Sequence, residues 1–336
     1  MKKWALAILL CAAATALCAC GPNTLVLVTD QPKDAVEKLV EPYVQQSGVK
    51  VTVVAAGTGD LLRAAGLNAG GREGGQATAT AQAQTADILL TQDLVALGQL
   101  RMANLLAQYA PPGATSLPSG ARGQGYWYGF GGRGWVLARN TDLLSDEGMT
   151  NSFADLADSK LPAKTMAIPS MENNPYYPLA IFTFWGREQS LSFYQELVFK
   201  QAMMTQSPKT VAEALAAGKL ALGLTTYADA KAQKDAGKPV DFGFPDNMEG
   251  EIGSYVQLNC VALLSASKNQ KLAQPLEDYL VSPEAEALSI QLGLSDVALR
   301  ENSLGAPLVR PLNIAPEKVL ASSRDAEQML RGVFQQ

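Results

Sequence analysis

Residues 25–65 read LVLVTDQPKDAVEKLVEPYVQQSGVKVTVVAAGTGDLLRAA, and this stretch sets the fold class. Leu25-Val26-Leu27-Val28-Thr29 is a short apolar run that stops at polar Thr29 and Asp30, as a buried strand does. Pro32 to Gln46 follows as a helix, with Pro32 near its first turn, Gly48 past its end, and Pro42 predicting a kink or split. Val49 to Ala55 is a second strand, and Gly57-Thr58-Gly59-Asp60 leads into a helix over Leu61 to Ala65. Strand, helix, strand, helix predicts an α/β chain with a parallel sheet covered on both faces.

The alternation continues outward. Ala69 to Thr85 is Gly, Ala, Gln and Thr with few apolar anchors, a low-complexity surface insertion. Asp87 to Leu90 resumes the sheet, and Gln92 to Leu106 reads as a helix. A Pro/Gly/Ser-rich connector, Pro111 to Gly125, leads to the aromatic cluster Tyr126-Trp127-Tyr128-Gly129-Phe130. Gly131-Gly132-Arg133-Gly134 and a strand over Trp135 to Ala138 come next. A second α/β region has strands at Thr165 to Ile168, Ala202 to Thr205, Leu220 to Leu224 and Val240 to Phe244. Its helices are Ser152 to Leu156, Pro178 to Trp185, Ser190 to Phe199, Lys209 to Ala217 and Ala228 to Ala236. Leu258 to Leu264 returns to the first sheet, and helices Ala273 to Leu280, Pro283 to Leu292 and a capped Ser323 to Phe334 finish the chain.

The N-terminus reads as an export signal over residues 1–19. Lys2 and Lys3 precede an uncharged apolar run, Trp4 to Leu17, which is short for a bilayer span of about 20 residues. Leu17-Cys18-Ala19-Cys20 resembles the bacterial lipobox, which implies cleavage before Cys20, lipid on that cysteine and anchoring to a bilayer. Cys11 and Cys18 would leave with the leader, so Cys20 and Cys260 remain and no disulfide framework is expected. Stability must then come from a core, and 336 residues suggest two domains at roughly 150 each.

Composition excludes several activities. The formal net charge is −5, and without basic runs nucleic-acid binding is not expected. The chain has no histidine, which removes Ser-His-Asp and Cys-His catalysis and every histidine-ligated metal site. No nucleophile elbow or phosphate-binding glycine loop occurs. A non-enzymatic binding protein with no cofactor is the default, against an exported carboxylate-dependent hydrolase or lyase and against a structural or adhesive lipoprotein.

Polar or small residues recur where strands hand over to helices: Thr29-Asp30, Gly57-Thr58-Gly59, Gln92-Asp93, Ser170 with Asn173-Asn174, Ser207, and Thr225-Thr226-Tyr227. In open α/β sheets ligands bind beyond the carboxyl ends of strands, and helix N-termini there favour anions. Each such residue alone is as well explained as a helix cap. Arg133, flanked by Gly132 and Gly134, offers a guanidinium that either clamps a carboxylate or phosphate or pairs locally.

Thr29-Asp30, Ser47 to Val51, Ala86 to Leu89, Trp127 to Phe130 with Arg133, Arg139 to Asp142, Thr210 to Leu224 and Asp278 to Ala285 occur in collinear order. Together they resemble the type II extracellular solute-binding proteins of ABC importers, in the ferric-iron branch that also includes phosphonate and phosphorylated-sugar binders. The resemblance implies a two-lobed type II periplasmic-binding-protein fold, each lobe a mostly parallel sheet flanked by helices, with the ligand cleft between them. On it, lobe 1 is 20–128 plus about 256–300, lobe 2 is 129–255, and 301–336 is a helical segment packing on the lobes. It implies an exported, lipid-anchored monomer that delivers its solute to a membrane permease. Ferric binders of this branch commonly carry adjacent tyrosines where this chain has Tyr227-Ala228, while Tyr176-Tyr177 reads as packing or cleft wall. The expected solute is therefore a small anion, a phosphonate or a phosphorylated or carboxylated compound, held by the turn residues above with Thr225 and Thr226 at a helix start. Ferric iron on Tyr227, Asp30 or Asp93 with an exogenous anion is the alternative.

Overall fold

A computed structural model of the protein describes residues 23–68, 78–79, 86–158, 160–170, 175–301 and 304–334. Its first strand, β1 (Thr24–Thr29), leads into α1 (Lys33–Ser47) and β2 (Lys50–Ala55), which pairs parallel to β1. Pro42 lies inside α1 without ending it, and Gly48 closes the helix at φ 70, a left-handed value that suits glycine. Helix α2 (Thr58–Ala64) follows, then β3 (Leu67–Asn68), which pairs with β4 (Thr78–Ala79). Apart from β4, the low-complexity insertion lies outside the described residues.

β5 (Ile88–Thr91) joins β1 in parallel and hands over to α3 (Leu94–Met102). This helix is shorter than the periodicity predicts. Asn104 takes a left-handed φ of 57, and Leu106 leaves the helix to bridge to Leu264. The separate aromatic, glycine and apolar segments at 126–138 are in fact one strand, β6 (Tyr128–Asn140). α4 (Asp155–Asp158), β7 (Met166–Pro169), α5 (Tyr176–Trp185), α6 (Arg187–Phe199), β8 (Met203–Thr205), α7 (Pro208–Ala216), β9 (Leu222–Thr226), α8 (Tyr227–Asp235) and β10 (Val240–Gly243) build the second region. The chain returns through β11 (Val256–Leu263) and ends with α9 (Gln270–Leu280), α10 (Pro283–Gln291) and α11 (Pro316–Phe334). α11 starts earlier than Ser323. Ser322 and Ser323 donate back to Lys318 and Leu320 carbonyls, each at 2.8 Å, inside the helix rather than capping it.

β6 explains how two lobes share one sheet. Its first half pairs antiparallel with β11, from Tyr128↔Val261 to Gly134↔Val256. From Trp135 onward it pairs antiparallel with β9. The strand order is therefore β2-β1-β5-β11-β6-β9-β7-β8, with β10 beside β6. β2, β1 and β5 are mutually parallel, as are β9, β7 and β8, so each lobe keeps a parallel half beside the antiparallel β6 and β11.

The apolar core divides at the same place. Leu25, Leu39, Ile88, Phe130, Val261 and Leu276 belong to one cluster. Leu137, Leu156, Tyr194, Leu222 and Leu330 belong to a second, with a smaller group around Val211 and Leu215 on the other face of the lobe-2 sheet. α11 touches both lobes: a Cβ on Gly98 of α3 would lie 2.4 Å from the Pro316 carbonyl, and Thr183 of α5 shares a 2.7 Å hydrogen bond with Ser322. The one cysteine within the described residues, Cys260, is buried and free.

Candidate functional site

The carboxyl ends of β1, β2 and β5 converge on a cleft of about 550 Å³. Asp30, Gln31, Ala55, Gly57, Thr58, Gln92 and Asp93 line it from lobe 1, Tyr176 at the start of α5 from lobe 2, and Gln257 from β11. Among the described residues, no lysine or arginine lines it.

Asp30 organises the lobe-1 wall. Its carboxylate accepts from the Thr91 hydroxyl, from the Gln92 backbone N–H at 3.1 Å and from Gln31 Nε2 at 2.8 Å. Thr29, fully buried, accepts from the Gln31 N–H at 3.0 Å and fixes the turn that presents Asp30. Asp93 does two jobs: Oδ1 caps α3 through Ala96 N–H at 2.9 Å, and Oδ2 accepts from the Thr58 hydroxyl at 2.9 Å. The Tyr176 phenol faces Asp93 across the cleft. Burial, then Asp93 and the charge of Asp30, push its pKa well above that of a free tyrosine.

Behind the cleft runs a buried polar chain. Gln92 Nε2 donates to Asn259 Oδ1 at 2.8 Å, and Asn259 Nδ2 donates to Ser295 Oγ at 2.9 Å. Ser295 and Ser289 share a further hydrogen bond of 2.8 Å. A buried amide side chain in a fully paired network holds one rotamer, so Gln92 faces the cleft in a fixed pose.

The turn residues of lobe 2 have other uses. Ser207 caps α7, accepting from Thr210 N–H at 3.2 Å. Thr225 is buried and donates to the Pro208 carbonyl at 2.7 Å, and Thr226 caps α8 by accepting from Asp229 N–H at 3.2 Å. Tyr227 packs against Phe242 and Phe244, ring centroids 5.5 Å away in each case. The Ser170 N–H donates to the Thr205 carbonyl at 2.7 Å, and Gly59 sits in the first turn of α2. None of these six lines the cleft. Arg133 donates to the Gly293 carbonyl at 3.3 Å, and the room beside its flanking glycines is taken by the Gln257 carbonyl and by Val297 and Phe244. Asn173, Asn174 and Cys20 lie outside the described residues.

Gln31, Tyr176 and Gln257 are cleft residues that the turn pattern did not single out, whereas Gly57 of the Gly57-Thr58-Gly59 turn does line the cleft. Tyr176 was legible only as half of a pair: its neighbour Tyr177 is buried and donates to the Pro169 carbonyl at 2.7 Å, while Tyr176 is the cleft wall. Asn259 carried no local signal, because its partners are distant in sequence.

Among the described residues, no group of three or more histidine, cysteine, aspartate or glutamate side chains converges as a metal site. Asp30 and Asp93 supply two carboxylates, so a cation here would draw further on phenol, amide and exogenous oxygens.

Known proteins share this architecture. A curated relative, the Fe(3+)-binding periplasmic protein of Serratia marcescens, is 22% identical over 316 residues, 91% of this chain and 88% of that protein. The solved structure of Trichodesmium IdiA (FutA) in complex with iron and citrate superposes with a TM-score of 0.73 at 18% identity, covering 93% of this chain and 100% of that one. An ABC transporter structure from Clostridium perfringens gives 0.71 at 16% identity, covering 92% and 99%. The fold is thus the two-lobed type II periplasmic-binding-protein fold. Residues 24–294 match the family model for bacterial extracellular solute-binding proteins, and the chain belongs to that family, a family of solute-binding transport proteins rather than enzymes.

Proposed function

We propose that the chain is the receptor of an ABC import system and that its solute is ferric iron, taken with an exogenous anion such as citrate. The chemistry of the cleft supports this over a free anionic solute. Two carboxylates face it, no cationic side chain lines it among the described residues, and a phenol faces one of the carboxylates. A phosphonate or carboxylate entering beside Asp30 and Asp93 meets like charge, whereas a hard trivalent cation meets oxygen donors. The lobe-2 hydroxyls that favoured an anion, Ser207, Thr225 and Thr226, are spent on their own helix ends or on the neighbouring backbone. Two similar proteins, a Fe(3+)-binding periplasmic protein and one solved in complex with iron and citrate, lean the same way.

On this reading Asp93 and Tyr176 turn from each other to the cation. The negative field that keeps the Tyr176 proton in place reverses sign when the cation arrives, and the phenol gives its proton to solvent and binds as phenolate. Asp30, Gln92 and Gln257 then orient the remaining oxygens, and the lobes close about β6 and β11. Lipid on Cys20 would hold the receptor beside its permease. Unchanged lipid labelling after Cys20→Ala would remove that part of the proposal.

The decisive measurement is optical. Ferric citrate added to the protein is expected to raise a visible phenolate-to-iron charge-transfer band, lost in Tyr176→Phe and kept in Tyr227→Phe. No band with the wild type, together with a melting-temperature rise on adding phosphonates or sugar phosphates, would replace ferric iron by an anionic solute.

A further inference from the structure

Asp296 lies in the loop after α10, between Leu294 and Val297, which are both buried in the lobe-1 core. Its backbone is tied to the shared strand, since the Asp296 N–H donates to the Gly132 carbonyl at 2.9 Å. Its side chain reaches the point where β6 changes partners: Oδ1 accepts from the Gly134 N–H at 2.8 Å. Gly134 admits no side chain, because a Cβ there would lie 2.6 Å from Val297 and 2.7 Å from Phe244. The second oxygen, Oδ2, is buried and has no hydrogen-bond partner. The Ala228 N–H, in the first turn of α8 of lobe 2, approaches the same carboxyl as a hydrogen-bond donor and helps its charged form, short of a completed bond to Oδ2.

We infer that Asp296 is an interlobe clasp, a positioning residue that holds the hinge strand with one oxygen and takes the first turn of α8 with the other as the lobes rotate about β6. A buried carboxylate oxygen with no donor is costly, and the free N–H groups at a helix start are its natural complement. A small rotation of lobe 2 completes the bond and gives the hinge a preferred angle. Arg133 and Asp229 are the charged groups that bear on the carboxyl, and their effects oppose each other. The clasp concerns closure and does not depend on which solute the cleft takes.

Hydrogen–deuterium exchange on the full chain without solute tests it, comparing wild type, Asp296→Ala and Asp296→Asn. In the alanine variant, amides in 131–136 and 226–230 are expected to exchange about tenfold faster or more, while those of β1 and β2 keep their protection. The asparagine variant is expected to keep 131–136 protected through its carbonyl oxygen and to loosen 226–230, where its NH₂ faces other donors. Small-angle scattering with ferric citrate is expected to show a smaller compaction for the alanine variant than for wild type. Unchanged exchange in both segments, or an equal rise throughout the protein, overturns the clasp. Failure of wild type to bind ferric citrate would sink the ferric reading alone, since the exchange comparison uses solute-free protein.

Discussion

The two lobes carry the same local signature, a polar residue where a strand turns into a helix, and use it differently. In lobe 1, Asp30, Thr58, Gln92 and Asp93 converge on the cleft. In lobe 2, Ser207 and Thr226 cap their own helices and Thr225 ties β9 to the start of α7. Among the described residues, only Tyr176, at the start of α5, represents that lobe in the cleft lining. A turn hydroxyl has one donor and two acceptor sites. Whether any remain for a ligand depends on whether backbone N–H groups nearby have already claimed them. Asp93 shows the intermediate case, one oxygen for the helix and one for the cleft.

The contrast can be broken experimentally. The largest effect is expected from Asp93→Ala, which removes a proposed iron ligand and the α3 cap together: affinity for ferric citrate falls at least about 100-fold, and urea denaturation shows a loss of about 1–2 kcal/mol. Asp30→Ala should follow. It strands the Thr91 hydroxyl, the Gln92 N–H and the Gln31 amide, at about 1 kcal/mol of stability, with ferric affinity falling about 10-fold in titration calorimetry. Thr226→Ala in lobe 2 is expected to cost about 1 kcal/mol with ferric affinity unchanged. A loss of affinity there would mean that Thr226 reaches the solute when the lobes close, and the contrast between lobes would fail.

The smallest effect is on pH. Burial raises the Asp296 carboxyl from 3.8 to about 6, against the opposing help of the Gly134 amide and Arg133. Because the folded-state value lies above the unfolded one, its contribution to stability is complete below about 3.8 and is lost as pH rises through about 6. Melting curves of wild type and Asp296→Asn should therefore diverge across that window, the asparagine protein losing less between its acidic and neutral ends. Parallel curves would show that the carboxyl is solvated.

Much of the fold was legible along the chain. β1, α1, β2 and β5 fell within a residue or two of their expected spans: burial of β1 and β5 on both faces leaves a nearly unbroken apolar run, and Gly48 marks the end of α1 before the edge strand β2. The errors have local causes. α3 stops early at left-handed Asn104, and α11 runs on ahead of two serines that bond back to the helix instead of starting it. β6 looked like three pieces because glycines break the apolar pattern, yet Gly129, Gly132 and Gly134 pair with β11, and Gly131, at φ 69, takes the irregularity between Leu258 and Cys260. In the cleft, Asp30, Thr58, Gln92 and Asp93 were named from strand ends alone, whereas Tyr176 needed its neighbour's burial to be told apart.

The sequence by itself determined the alternation of elements from Leu25 to Ala65, the exclusion of histidine chemistry and the family resemblance, because these depend on composition and local periodicity. Only the tertiary structure decided which turn residues remain free for a solute, that Asn259 backs Gln92, and that Asp296 of one lobe reaches the hinge strand beside the other. These depend on contacts between residues far apart in the chain, and hydrogen-bond capacity is settled by which partner arrives in space.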